Sequence, residues 1–259
     1  MHKSGWFRQV GLLTGRLITN QIRQPFASMI NLFISAFFFI VYHGALGGSN
    51  GFASMLSGGN YTSFLLPTAI IFATASGSSC GQVLVQDMET RYFQRLLSMP
   101  LSRSALILAP MLAGALQVLL QIGLIIGLGF ALGPTSTTGM LGVAVAIIIS
   151  FLWGMSLGGI SIAVAMQTGN SQIVQSSAMF LFPLIFLSPA FLPREDMQDW
   201  MKVVSLFNPT TYILEGLRSL FMMQWEQVKI WGALIVDVVA LCLTFSWALL
   251  ATRGKTSPK

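Results

Sequence analysis

An all-helical (all-α) integral membrane protein with six transmembrane helices is the fold class this sequence predicts, and three observations predict it. Hydrophobic residues make up 54% of the 259 positions and charged residues 8%, with a mean hydropathy of +0.74. A soluble domain carries about 25% charged residues. The charges are also clustered: residues 24–86 and 104–193, blocks of 63 and 90 residues, hold none. A bilayer core about 30 Å thick takes about 20 apolar residues per helical pass, so each block holds more than one pass. The runs far exceed a barrel strand and show no period-2 alternation, which leaves helices as their conformation.

The elements follow in order. Residues 5–23, "GWFRQVGLLTGRLITNQIR", place Trp6, Val10, Leu13 and Leu17 at helical spacing, with Arg8, Arg16, Asn20 and Arg23 mostly elsewhere. That pattern predicts an interfacial helix, which Pro25 stops as the chain turns into span 1. Turn-rich "GGSNGFASMLSGGN" (47–60) separates span 1 (26–46) from span 2 (61–86). "GPTSTTG" (133–139) and "QTGNSQ" (167–172) divide the second block into spans at 105–132, 140–166 and 173–192, and a last run at 230–251 makes six. The domain boundaries are therefore 1–25 for the interfacial helix, 26–251 for the six-span domain and 252–259 for a basic tail. Small-xxx-small pairs at Gly123/Gly127, Gly129/Gly133 and Gly154/Gly158 predict close helix packing.

Lys and Arg set the orientation. Lys3, Arg8, Arg16 and Arg23, then Arg91, Arg95 and Arg103, then Arg253, Lys255 and Lys259 fall on one side of a six-span chain, 10 of the 14 positive charges. Both termini are expected in the cytoplasm. The net charge of +6 is then topological bias, and no nucleic-acid partner is expected. No cleavable leader is expected either, because Arg16 and Arg23 interrupt the first 25 residues. Cys80 and Cys242 both fall within spans, so no disulfide framework is expected.

Two segments between spans carry the remaining information. In "DMETRYFQRLLSMPLSRS" (87–104), Asp87 and Glu89 precede Arg91 and Arg95, an order that suits a helix dipole and an Asp87–Arg91 pair four residues apart. Pro100 ends that short helix, and Ser102 or Ser104 caps the next. Tyr92, Phe93, Leu96 and Leu97 add an apolar stripe that a merely charged loop does not need, so this surface reads as a docking site for another protein. Between spans 5 and 6, residues 186–227 hold Pro189 and Pro193, an acidic start at Glu195, Asp196 and Asp199, a break at Asn208-Pro209, and a second apolar-periodic helix through Ile213, Leu214, Leu217, Leu220 and Phe221. Neither piece is long enough to span; two short helices in or on the outer leaflet are expected.

Enzymatic chemistry is not written in this chain. It has no Gly-x-x-x-x-Gly-Lys-Ser/Thr loop to hydrolyse ATP and no Gly-x-Ser-x-Gly elbow. Its two histidines, His2 and His43, assemble neither a metal set nor a triad. Catalytic and metal-ligating residues are therefore none. Gln117 and Gln121, one turn apart on span 3, either line a translocation path or hydrogen-bond across a helix interface, and Asn31 in span 1 has the same two readings. Asp237 is the one charge inside a span, about 9 Å below Trp231 at 1.5 Å per residue. It marks either cation or substrate passage or a pairing with water or a cation such as Arg218. Phe33, Phe37, Phe38 and Phe39 either bind a flat drug or face lipid.

The chain resembles the membrane subunits of ABC-2 type exporters, the permeases of daunorubicin-resistance and polysaccharide-export systems. The residues that carry the likeness are the N-terminal amphipathic helix, "ETRYFQRLLSMPLSRSALILAP" after span 2 and "PAFLPREDMQDWMKVVSLFNPTTYILEGLR" before span 6. The resemblance implies an elbow helix at the N-terminus, a cytoplasmic coupling helix between spans 2 and 3, and two re-entrant outer-leaflet helices before span 6. It implies that Glu89, Arg91, Arg95 and Leu96 face a separate ATPase subunit, present in two copies. It also implies a second permease, identical or paralogous, meeting this one along spans 1, 2 and 5 among the membrane lipids. The chain itself binds no cofactor; ATP and Mg belong to the partner. The function implied is ATP-driven export of an amphipathic drug, lipid-like or glycan substrate across a bacterial cytoplasmic membrane by alternating access. The alternatives are an ion-gradient-driven secondary transporter, which normally carries more intramembrane ionisable groups, or a membrane scaffold with no transport role.

Overall fold

A computed structural model describes residues 5–23, 25–46, 61–132, 138–222 and 225–255; within these, the side chains of 25–28, 31, 46 and 253–255 lie outside the description. The expected breaks at 47–60 and 133–137 fall outside the described residues, as do 1–4 and 256–259. Among the described residues every regular element is a helix and none is a strand.

Helix α1, Trp6–Arg23, buries Val10, Thr14 and Leu17 on one face and lies along the helix that starts at Arg103. Its last turn carries Arg23, favourable at the carbonyl end of the helix dipole. Helix α2, Pro25–Leu46, begins with proline at its first position, where the missing N–H is no loss.

The second expected span is built in three pieces. Helix α3 (Tyr61–Thr74) runs into a 3-10 turn (Ala75–Ser79) and then helix α4 (Cys80–Glu89), together 29 residues long and apolar enough to cross a membrane. The hydroxyls of Thr74, Ser76 and Ser78 each donate to the carbonyl three residues back. Such back-bonding tightens the winding locally. The small "ASGSS" sequence also removes the bulk that would hold a neighbour away: a Cβ at Gly77 would collide with the Gly154 carbonyl oxygen.

The single helix expected over 87–97 is not what forms. Asp87 and Glu89 end α4, and Thr90 and Arg91 make a turn in which Arg91 is left-handed at φ 56°. A separate helix α5 then covers Tyr92–Leu97. Asp87 therefore sits at the carbonyl end of its helix. It pairs with Arg16 of α1 at 2.7 Å in place of Arg91. A cation fixed by tertiary packing outcompetes a local i,i+4 partner, and the αL residue breaks the register that such a pair requires.

Helix α6 (Arg103–Ala131) starts at Ser102, one of the two serines expected to cap it, whose hydroxyl accepts from Ala105 N at 3.3 Å. Helix α7 (Gly139–Thr168) is the centre of the molecule, packed against α3, the 3-10 turn, α4 and α6 and against three later helices. It ends where "QTGNSQ" predicted: Gly169 takes φ 61°, and Asn170 accepts from the N–H groups of Gln172 and Ile173 to start α8 (Ser171–Met179). Helix α9 (Leu181–Phe186) continues α8 after Phe180. The apolar helical stretch from Ser171 ends at Phe186, and 187–193 are turns.

Helix α10 (Asp199–Phe207) and helix α11 (Pro209–Phe221) are the two short helices expected before the last run. Asn208 joins them, accepting from Thr210 N at 3.0 Å while its amide donates to the Leu184 carbonyl. Helix α12, Gln227–Lys255, closes the chain against α7 and α11. Among the described residues, four helical stretches are long and apolar enough to cross a membrane: Tyr61–Glu89, Arg103–Ala131, Gly139–Thr168 and Gln227–Thr252.

Candidate functional site

The charged corner around α5 is assembled by contacts distant in sequence. Arg16 of α1 donates to both oxygens of Asp87, at 3.0 and 2.7 Å, and its guanidinium lies 3.6 Å from the centre of the Tyr92 ring. Its hydrogen bonds to Asp87, helped by the carboxylate charge, outweigh partial burial and raise the Arg16 pKa above its ordinary value. Trp6 Nε1 donates to Ser104 Oγ at 3.0 Å, and Gln9 Oε1 accepts from Ser102 N at 3.2 Å. Thr14 Oγ1 donates to the Ala109 carbonyl at 3.3 Å. Helix α1 is thereby stitched along its length to Ser102 and the first turns of α6. Bidentate Arg–carboxylate pairs of this kind fix orientation as well as adding energy.

On this base, α5 presents two different faces. Phe93 and Leu96 are buried, lining a narrow apolar crevice with Leu13, Leu17, Leu84 and Leu106. Glu89, Arg91, Gln94 and Arg95 are exposed, beside the exposed apolar Leu97 and Met99. Glu89, Arg91 and Arg95 make no ion pair among the described residues. Of the four residues expected to face a partner, three point outward. Leu96 points inward and supports them; the outward apolar side chain is its neighbour Leu97.

The interior polar residues are not gathered at one place. Gln117 is buried and accepts from Ser79 Oγ at 3.3 Å, a bond between α6 and the 3-10 turn. Gln121 is buried one turn further on. Asn31 lies in α2, with its side chain outside the description. Asp237 is 0% exposed and neither of its oxygens has a hydrogen-bond partner among the described residues. Of the readings left open for Asp237, a pairing with Arg218 does not form. Arg218 instead donates from Nη2 to the Ala190 carbonyl at 2.9 Å and stacks 3.6 Å over the Phe64 ring. It points away from α12 because it stands two residues, about 200° of helix, from Gly216, which meets Ala233 of α12.

The Arg16–Asp87–Tyr92 constellation and the Arg218–Phe64 stack were not read from the sequence. Their partners lie 71 and 154 residues apart, and no spacing rule reaches that far.

With this geometry in place, similarity to known proteins can be stated. Residues 8–222 match the family described as ABC-2 type transporter. The daunorubicin resistance ABC transporter permease protein DrrB1 of Streptomyces coeruleorubidus is 26% identical over 162 residues, 62% of this chain and 57% of that protein. The chain thus spans little more than half the length of that relative. The ycf38 protein of Cyanophora paradoxa, named as a transport permease, is 25% identical over 83% of this chain and 75% of its own. A Mycobacterium tuberculosis protein named as the doxorubicin resistance ABC transporter permease DrrC is 21% identical over 95% of this chain and 90% of its own. A match over residues 8–222 takes in every segment that builds the charged corner and the buried arginine: this multi-pass membrane chain belongs to the ABC-2 type transporter family.

Proposed function

We propose that this chain is the permease subunit of an ATP-driven exporter and that the α4–α5 corner receives a separate ATPase subunit. The observation that carries the reading is the two-faced α5. Glu89, Arg91 and Arg95 stand outward with Leu97 and Met99, while Phe93, Leu96 and the Arg16–Asp87 pair tie the same segment to α1 and α6. A surface with unpaired mixed charge and exposed apolar groups on a rigid base suits docking. Force applied there passes directly into α4 and α6.

Around that corner the remaining assignments follow. Six spans place both termini and 87–103 in the cytoplasm, with α2 and the α8–α9 stretch as the first and fifth. Helix α1 is the elbow lying in the interface, and α10 and α11 fold back into the outer leaflet. ATP and Mg are held by two copies of the ATPase, and a second permease completes the path. Asn31, Gln117, Gln121 and Asp237 are candidates for lining that path. Because three of them are buried within one chain, they reach a substrate only when α6 or α12 shifts, as alternating access requires. The substrate class is an amphipathic, lipid-like or glycan molecule; the drug-resistance names of two relatives favour the first. The membrane is the bacterial cytoplasmic one.

The test is co-purification of the tagged chain from its native host in mild detergent, followed by ATPase and transport assays on wild type and Arg95→Glu. A stoichiometric ATPase should co-purify, and Arg95→Glu should leave export at a tenth of wild type or less, the effect of losing about 1.4 kcal/mol of coupling. Export at the wild-type rate in Arg95→Glu would remove the docking assignment, and a chain without any ATPase would remove the exporter reading.

A further inference from the structure

Asp237 stands in the middle of the buried stripe of α12, which runs Ile230, Ala233, Asp237, Thr244, Ala248 and Thr252. Two close contacts bracket it. On one side, Ala233 Cβ lies 2.6 Å from where a Cβ on Gly216 of α11 would be; on the other, Thr244 Oγ1 lies 2.6 Å from the same position on Gly159 of α7. These contacts fall four residues before and seven after Asp237, about 6 and 10 Å along the helix axis. Close packing on α11 before the acid and on α7 after it therefore flanks Asp237 along α12.

Among the described residues, no group on the helices packed against this seam compensates a negative charge. Among the described residues, α7, α11 and α6 form the main packing against α12. Helix α7 contains no charged residue, and α6 has only Arg103, at its first position. Helix α11 contributes Tyr212, Glu215 and Arg218. The Tyr212 hydroxyl donates to the Leu206 carbonyl, Glu215 lies 3.9 Å from Arg194, and Arg218 is held by Ala190 and Phe64. A carboxylate ionised here finds neither hydrogen bond nor countercharge among the described residues, in a low-dielectric surrounding, the costliest state for such a group. A single proton removes that cost.

We propose that Asp237 is a proton-binding site of the membrane domain, occupied while α12 is packed on α7 and α11 and emptied when that seam parts. On opening, the carboxylic O–H bond breaks, the proton passes to water and the electron pair stays on the carboxylate; closing reverses the step. The charged form then disfavours reclosure, so proton occupancy biases the position of α12. The proposal does not depend on the exporter reading, because it concerns one carboxyl and one helix seam of this chain.

Infrared spectroscopy of the full chain in lipid nanodiscs at neutral pH tests it. Wild type should show the carbonyl stretch of a protonated carboxylic acid that shifts slowly on transfer to D2O, and Asp237→Asn, nearly isosteric, should lack that band. Gly216→Ala adds a methyl against Ala233 and should speed deuteration about tenfold, as expected when the closed seam loses about 1.4 kcal/mol. If that variant does not fold, Gly159→Ala places the same wedge against Thr244. Absence of the band in wild type, or its survival in Asp237→Asn, overturns the proposal. Deuteration no faster in the wedged variant than in wild type would remove the link between occupancy and the seam.

Discussion

Arg16 and Arg218 show how much of this molecule rests on single cations placed against carbonyls, carboxylates and rings. Arg16 is partly exposed and bidentate to Asp87, and its removal leaves a largely buried carboxylate. Arg16→Met is expected to lower unfolding stability by roughly 1–3 kcal/mol, and Asp87→Asn by a similar amount. The double variant should lose about 1 kcal/mol less than the two singles combined, as contacting residues do. Strict additivity in thermal melts would show that the pair contributes nothing. Arg218→Lys keeps the charge but loses the planar stack on Phe64 and the geometry toward Ala190; it should destabilise by about 1–2 kcal/mol. A melt indistinguishable from wild type would sink that account. Neither arginine announced this role in the sequence, where Arg16 read as one of the charges that set orientation and Arg218 as a candidate partner of Asp237.

The three small-xxx-small pairs looked alike as sequence, and the helices separate them. Gly154 and Gly158 face the 3-10 turn and α6 closely enough that any added Cβ meets Val118 or Cys80. A Cβ at Gly123 or Gly127 meets nothing within 4 Å, while Gly133 lies outside the described residues. Gly77→Ala, pressed on the α7 backbone, is expected to cost about 1–3 kcal/mol or to prevent folding. Gly123→Ala should raise the stability of the detergent-purified chain by about 0.5–1 kcal/mol through helix propensity alone. Equal shifts from both in denaturant or thermal melts would refute the distinction. Period and composition place a glycine on a helix, but they do not say which face the next helix covers. For the same reason the sequence predicted α1, the stop at Gly169-Asn170 and the Asn208-Pro209 joint, all set by local chemistry, and missed the break at Arg91.

For the whole molecule, the expected topology makes a direct prediction. A cysteine introduced at Thr90, in a background lacking Cys80 and Cys242, should react with a membrane-impermeant maleimide only in inside-out vesicles. One at Glu195 should react only from the opposite side. Labelling of both from one side would discard the six-span arrangement. What the sequence determined by itself is the class of molecule: long charge-free runs compel membrane helices, because a bilayer offers no water to an unpaired backbone. It also determined the elements whose ends are dictated by neighbouring residues, such as a serine cap at Ser102 or Ser104 before α6 and the glycine stop after α7. Only the tertiary structure decided which buried polar groups find partners. Asp87 was taken from Arg91 by Arg16, Leu96 was turned inward, Arg218 was drawn to Phe64 and Ala190, and Asp237 was left alone on the α12 seam. The physical reason is range: a turn or cap is settled within about four residues, whereas an ion pair or a buried acid is settled by whichever distant helix packs against it.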